Sequence, residues 1–154
     1  MANFTADAEE KIINKLARDC RAIDGITNAF DFAQNPQSLS GKTPCVVFYP
    51  FDLQSERKAH PNRWMNTIGI RGLLFVTERM SKAGTLKYIE NEALVFPGRF
   101  RAKFQTASVY NDYLSLGVQV ADMSRMQYGA GDLLHYMGTD YVGFIIDWEF
   151  RGTN

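Results

Sequence analysis

One stretch near the end of the chain constrains the fold more than any other: residues 141–150, with the sequence YVGFIIDWEF. Large apolar side chains alternate along it with small or charged ones, which is typical of a β-strand with two different faces. The apolar face should carry Val142, Phe144, Ile146, Trp148 and Phe150. The other face should carry Gly143, Ile145, Asp147 and Glu149 and lie partly in water. A sheet with one wet face is usually antiparallel, with helices on its dry side.

Three more stretches alternate apolar and polar side chains in the same way. They predict strands at residues 45–49, 63–77 and 113–122. Pro44 opens the first of these strands and Pro50 closes it, which suits a strand at the edge of a sheet. In the second, Gly69 and Gly72 indicate a β-bulge or the close approach of another part of the chain.

Helical patterns lie between the strands. A first helix, over residues 6–22 and capped by Thr5, should direct one apolar stripe at the core. That stripe consists of Ile12, Ile13, Leu16, Ala17, Cys20 and Ile23. A second helix should extend to about residue 95, where Pro97 interrupts it, and a further turn or two should carry Phe100 and Phe104. The sequence therefore predicts an α+β fold, a mostly antiparallel β-sheet with helices packed on one face.

Three connecting segments are predicted to form loops. Residues 26–42 mix Phe30 and Phe32 with turn-forming residues and indicate a partly tucked loop. Residues 51–62 are polar and should be exposed. Residues 123–140 are rich in Met, Tyr and Gly, and this segment is too long for a tight hairpin. Long loops in compact domains are often interaction elements.

The composition limits the class of protein. A chain of 154 residues with 45% hydrophobic residues fits a single domain over residues 1–154. The longest apolar runs, such as residues 72–76, are too short to span a bilayer, so no membrane partner is expected. Cys20 and Cys45 are expected to be reduced thiols packed in the core. Lys plus Arg and Asp plus Glu number 17 each, and this balance disfavours a protein that grips DNA phosphates.

No residue pattern indicates catalysis, so we expect no enzyme activity, catalytic residue, metal or cofactor. Asp147 and Glu149 share a strand face, which would suit acid–base chemistry or a divalent cation, but the simpler interpretation is a solvated sheet face. His60 and His135 lie in separate loops without zinc-ligand spacing. Residues 129–132 lack the Lys-Ser/Thr of a phosphate-binding loop. The basic cluster of Arg99, Arg101 and Lys103 is most simply an exposed helix end.

The succession of elements resembles the tail terminator and neck (tail completion) proteins of tailed bacteriophages. In that family an N-terminal helix leads to a strand similar to TPCVVFYP, and the middle helix carries a stretch similar to ALVFPGRF. The chain of those proteins closes on a strand that resembles YVGFIIDWEF. The resemblance covers most of the chain and concerns the order of its elements.

The resemblance implies a structural protein of the virion neck that is assembled in the host cytoplasm. It implies a homo-oligomeric ring, usually a hexamer, which caps the tail tube protein and joins the tail to the head connector or adaptor protein. DNA would pass through the ring without sequence-specific binding. Two alternatives stay open: a small-ligand binder or enzyme that uses the wet sheet face around Arg71, Asp147 and Glu149, and another virion adaptor or baseplate component.

The ring contacts are expected mainly in the two long loops, residues 51–62 and 123–140. Both loops are long, and the apolar side chains of residues 123–140 exceed what a monomer normally exposes. Aromatic residues and Met are enriched in interface cores. The residues that we expect at the interface are Arg57, His60, Trp64, Met126, Tyr128, Leu133, Leu134, Tyr136 and Met137.

Overall fold

The computed structural model describes residues 4–32, 34, 36–57, 63–78, 92–127 and 133–153. Its helices are α1 (Ala8–Arg21), α2 (Val95–Phe104) and a 3₁₀ helix (Ala107–Leu116). Its strands are β1 (Asn28–Ala29), β2 (Cys45–Arg57), β3 (Trp64–Glu78), β4 (Val120–Gln127), β5 (Leu134–Tyr136) and β6 (Thr139–Thr153). These elements confirm the predicted α+β fold.

The strands form one sheet with the order β1-β2-β3-β6-β4, and β5 pairs with the start of β6. Among the described residues, the two-residue pairing of β1 with β2 is parallel and the other four pairings are antiparallel. The prediction of a mostly antiparallel sheet is therefore confirmed. β3 and β6 are each 15 residues long and pair along almost their whole length, so they form the centre of the sheet.

The helices cover one side of this sheet, which we call the core face. All five apolar residues predicted on one side of β6 are buried there, and so is the whole predicted stripe of α1. Phe96, Phe100 and Phe104 of α2 join the same cluster, because their four-residue spacing places them on one side of the helix. Gly72 leaves room for the Trp148 ring, since a Cβ there would lie 2.8 Å from Trp148 Cζ3.

The start of α1 differs from the prediction. Asp7, not Thr5, occupies the cap position, and its side chain makes no capping hydrogen bond. The Asp7 carboxylate instead pairs with Lys11 one turn later, at 3.1 Å, and this hydrogen bond is the main cause of its lowered pKa. Glu9 and Glu10 still lie in the first turn, where the helix dipole favours negative charge.

β2 is longer than predicted, because Pro50 does not end it. The strand continues to Arg57, so the predicted loop over residues 51–62 is wrong for residues 51–57, and residues 58–62 lie outside the described residues. Phe30 N–H donates to the Val46 carbonyl on the β1 side of the strand. Backbone groups alternate in direction along a strand, so the Pro50 nitrogen faces the same outer side, where no donor is needed.

The predicted third strand over residues 113–122 is also wrong for most of its length. Residues 107–116 form the 3₁₀ helix, which ends at Gly117 with φ 83°, and β4 begins only at Val120. A 3₁₀ helix has three residues per turn, so Tyr110, Tyr113 and Leu116 lie above one another and pack inward. The alternation seen from residue 114 onward came partly from this helix.

In the described part of the chain, α2 begins at Val95, and residue 94 is a turn that separates it from the helical residues 92–93. Pro97 therefore lies in the first turn of α2, where a missing N–H is tolerated. The preceding predicted helix falls mainly on residues 79–91, which lie outside the described residues.

Residues 123–140 do not form a single long loop. β4 extends to Gln127, and β5 pairs with β6 through a turn at Met137 and Gly138, while residues 128–132 lie outside the described residues. β5 helps to build a second, smaller cluster on the other side of the sheet, which we call the polar face. The buried members of this cluster are Leu39, Cys45, Phe75 and Tyr141.

Candidate functional site

An ion pair between Arg71 and Asp147 occupies the middle of the polar face. The two residues are direct cross-strand neighbours on β3 and β6. Arg71 Nε donates to Asp147 Oδ1 at 2.7 Å, and Nη2 donates to Oδ2 at 3.0 Å. This two-point contact is the geometry in which arginine binds a carboxylate most strongly, and it raises the pKa of Arg71 above its usual value.

The expectation that Asp147 is wet is wrong, because its side chain is only 4% exposed. The guanidinium of Arg71 covers the carboxylate, and the ring of Phe51 lies over the guanidinium at 4.6 Å. Cation and aromatic ring attract each other in this arrangement. The three side chains therefore form a stack that closes the middle of the polar face.

Beyond this stack the polar face opens into a groove of about 310 Å³ near the β2–β3 hairpin. The groove is lined by Asp52, Gln54, Glu56, Met65, Thr67, Glu149 and Arg151. Arg151 Nε donates to Glu149 Oε1 at 2.6 Å, and Gln54 donates to the Asp52 carboxylate. Among the described residues, no three His, Cys, Asp or Glu side chains are grouped so that they could hold a metal ion.

A larger hollow of about 590 Å³ lies on the other side of the same hairpin, against the start of α1. Phe4, Leu53 and Ile68 supply apolar walls, and among the described residues Glu9 is the only charged side chain in the lining. The remaining polar side chains of the lining are Thr5, Gln54, Ser55, Asn66 and Thr67.

The two cysteines are free thiols buried in the core, as predicted. Burial raises the pKa of Cys45 to about 12, and it also raises that of Cys20. A thiol must lose its proton to act as a nucleophile, so neither group is prepared for covalent chemistry near neutral pH.

The predicted interface residues lie in different places. Arg57 and Trp64 are cross-strand partners at the end of β2 and the start of β3, where Trp64 is 41% exposed. Met137, 63% exposed, lies in the turn before β6 at the opposite end of the sheet. The 15 residues of β3 separate these ends by roughly 45 Å at a strand rise of about 3.3 Å per residue. His60 and Tyr128 lie outside the described residues.

The remaining predicted interface residues are partly buried against their own subunit. Met126 and Leu133 pack on the main core, and Leu134 and Tyr136 pack on the second cluster. The Tyr136 hydroxyl also donates to the Pro36 carbonyl. Residues 123–140 therefore offer less exposed apolar surface than expected, because most of the described apolar side chains serve the fold.

The sheet has two open edges, of which the sequence predicted only the one at β2, from Pro44 and Pro50. In the part of the chain that the structure describes, no strand pairs with the outer side of β2 beyond Val46 or with the outer side of β4. Exposed apolar side chains mark both edges, and the most exposed are Leu53 at 58% beside one edge and Leu114 at 57% beside the other. Pro50 lies within β2 and not at its end, and proline within a strand also indicates an edge.

A hollow of about 290 Å³ adjoins the edge of β4. Its apolar lining comes from the 3₁₀ helix and from the residues that lead into β4, chiefly Tyr110, Leu114, Val118 and Val120. Leu114 and Val120 are both more than half exposed. The two edges of the sheet therefore expose different apolar surfaces on opposite sides of the molecule.

Comparison with known proteins identifies no family: no family model matches the chain, and no curated protein matches its sequence. None of the helices in the described part of the chain has the length and apolar character needed to cross a membrane.

Proposed function

We propose that the protein is a structural subunit of a bacteriophage neck that forms a closed homo-oligomeric ring between the tail tube and the head connector. The ring caps the tube, joins tail to head and leaves a channel through which DNA passes. The resemblance implies six copies. The observation that carries the proposal is the pair of different apolar edges on opposite sides of the subunit.

A ring requires this kind of asymmetry. In a two-fold dimer each subunit contributes the same surface, whereas in a ring one surface of a subunit meets a different surface of the next. The edge at β2 carries Tyr49, Phe51 and Leu53, and the edge at β4 carries Leu114 and Val120. Each edge could therefore cover the other edge of a neighbouring copy, and both would be satisfied in every subunit once the ring closes.

The pairing of basic side chains supports passive passage of DNA. Arg18, Arg21 and Arg99 are placed 2.8, 2.5 and 3.5 Å from the carboxylates of Asp112, Asp31 and Asp24. A cation that is paired within its own subunit is less available for phosphate oxygens. Together with the zero net charge, this arrangement favours a channel along which DNA slides.

The rival hypothesis of a ligand site on the polar face gains little support. It requires Arg71, Asp147 and Glu149 to offer unused polar groups. Arg71 and Asp147 bind each other through two hydrogen bonds, and Glu149 accepts from Arg151. A ligand would have to break these contacts before it could bind, which costs free energy.

The proposal can be tested by disabling the edges separately. Leu53→Asp and Leu114→Asp each place a charge on one exposed apolar edge, so each variant alone should lose the ring and elute as a monomer in size-exclusion chromatography with light scattering. A mixture of the two variants retains one intact edge of each kind and should form a heterodimer that cannot grow further. Leu94→Asp, at a residue of similar exposure beside α2, is the matched control and should leave the ring intact.

Variants that still form rings would exclude these edges, and a wild-type protein that stays monomeric in solution and in purified particles would exclude the ring. In particles, loss of the ring should give heads and tails that are not properly joined.

A further inference from the structure

We infer that the subunits join by strand pairing, with the outer edge of β2 in one copy hydrogen-bonded to the outer edge of β4 in the next. This inference rests on the proposed ring and specifies the partner and the register of its interface. The occupant of each edge is therefore a second copy of this chain. An unpaired strand edge offers a row of backbone donors and acceptors to another strand.

The strand directions permit this pairing. β2 runs antiparallel to β3, β3 to β6 and β6 to β4, so β2 and β4 run in opposite directions within one subunit. When copies stand side by side in the same orientation, β4 of one copy meets β2 of the next as an antiparallel neighbour. Antiparallel pairing then continues from one sheet to the next.

The backbone groups of the two edges also match. Val46 C=O points outward, because it accepts from the N–H of Phe30, which directly follows β1. Alternation and the bulge between Pro50 and Asp52 then direct the groups of Leu53 and Ser55 outward as well. The same alternation, followed through β3 and β6, directs the groups of Ala121 and Met123 outward from β4.

Charge selects one register among those that this alternation allows. Placing Ala121 opposite Ser55 brings Asp122 opposite Gln54. Because the β4 bulge leaves Ser124 without a partner, Arg125 then lies opposite Asp52, and these two pairs lie on the polar face. Opposite charges directly across two strands stabilise the pairing, whereas like charges destabilise it. A shift of two residues in either direction places Asp122 against Asp52 or Glu56, so the neighbouring registers bring carboxylates together.

The irregular positions of both strands fit the same register. β4 has its bulge between Met123 and Arg125, and β2 has its bulge between Pro50 and Asp52. In the selected register these bulges fall at neighbouring positions. Each strand therefore has one extra residue at nearly the same place, and the pairing of the two strands continues on both sides of the bulges. On the core face, Leu53 then lies opposite Met123, and the exposed Leu53 side chain gains an apolar neighbour.

The test is a charge exchange across the interface. Asp52→Lys and Arg125→Glu each place like charges opposite each other. Each should raise the dissociation constant of the subunits about fivefold per interface, measured by light scattering across a dilution series. The double variant restores an opposite pair in reversed order and should recover most of the wild-type assembly. Glu10→Lys and Arg101→Glu reverse exposed charges on the helices and serve as matched controls.

A cross-link tests the register without relying on charge. Ser55→Cys combined with Ala121→Cys places thiols on directly opposite residues, where Cα atoms about 5.5 Å apart permit a disulfide. Oxidation should give a ladder of covalent multimers on a non-reducing denaturing gel. Ser55→Cys combined with Asp122→Cys directs the thiols to opposite faces and should give little cross-linking.

The outcomes separate the two proposals. A wild-type ring with a rescued double variant and a register-specific cross-link supports strand pairing. A wild-type ring that resists both single charge reversals and gives no ladder overturns strand pairing and leaves the ring. A wild-type monomer overturns the ring and, with it, the pairing.

Discussion

The two faces of β6 are buried by different means. On the core face, Val142, Phe144, Ile146, Trp148 and Phe150 are all covered by apolar side chains of the sheet and helices. On the polar face, Asp147 is buried by one arginine and an aromatic ring that lies above it. Apolar burial shows in the alternation of a single strand, whereas burial of a charge depends on a partner 76 residues away in sequence. This is why Asp147 was wrongly predicted to lie in water.

The largest effect is expected on the core face. Trp148→Ala should lower the free energy of unfolding by about 3–5 kcal/mol, because a large buried ring is lost and a cavity remains. The ring packs edge-on against Phe104 at 5.2 Å between centroids and is fully buried. Guanidinium titration of the variant measures the change. Ile145→Ala, on the other side of the same strand, should cost clearly less, and a loss below about 1 kcal/mol for Trp148→Ala would contradict the assignment of the faces.

A smaller effect is expected for the polar face, and it should be confined to one residue. Asp147→Asn leaves the Arg71 guanidinium, which is partly buried, without its charged partner and should cost about 1–3 kcal/mol in urea titration. Glu149→Gln changes the next carboxylate on the same face in the same way. The ion pair of Glu149 with Arg151 is more exposed, so Glu149→Gln should lower the free energy of unfolding by no more than about 0.5 kcal/mol. Equal costs for the two variants would mean that burial does not distinguish these pairs.

The smallest effect concerns pH. Burial between α1 and the 3₁₀ helix raises the pKa of Asp19 above its ordinary value, while nearby Arg18 opposes the shift. The folded state then binds the proton more tightly than the unfolded chain does. This contribution to stability is present below the pKa of the unfolded chain, about 3.9, and is lost as the pH rises through the raised pKa.

Asp19→Asn removes this titration and should change the slope of unfolding free energy against pH between about 3.5 and 6, a range that spans the ordinary carboxyl pKa. Urea titrations at several pH values measure the slope. The matched control is Asp24→Asn, because the Asp24 side chain is 91% exposed. If both variants kept the wild-type slope, burial of Asp19 would not affect stability.

The parts of the fold that could be predicted are those in which the sequence pattern of a single helix or strand shows which of its sides is buried. The stripe of α1 and the alternation of β3 and β6 each recur at the period of a single regular structure. The predictions failed where partners or geometry intervene. The 3₁₀ helix over residues 107–116 has an alternating sequence like that of a strand. β2 continues through Pro50 because, among the described residues, no strand pairs with that side of it.

The candidate site was less predictable, since it depends on where strands end in the sheet order. Pro44 and Pro50 predicted an edge position for β2, but no pattern in the sequence places β4 at the opposite edge. Leu114 and Val120 belong to the alternation that predicted a strand over residues 113–122, yet both are exposed beside the edge of β4. Conversely, Leu134 and Tyr136 were expected on the surface, but they pack on the second cluster. The tertiary pairing decides which apolar residues remain available to a neighbour.

The most direct test of the proposed ring is the native mass of the wild-type protein in solution. Native mass spectrometry over a range of protein concentrations should give one dominant closed species, at about six times the 17.5 kDa mass of the chain, without a continuous series of larger aggregates. A heterologous interface that closes gives this result. A single species at 17.5 kDa at every concentration, and the same species released from purified particles, would contradict the ring.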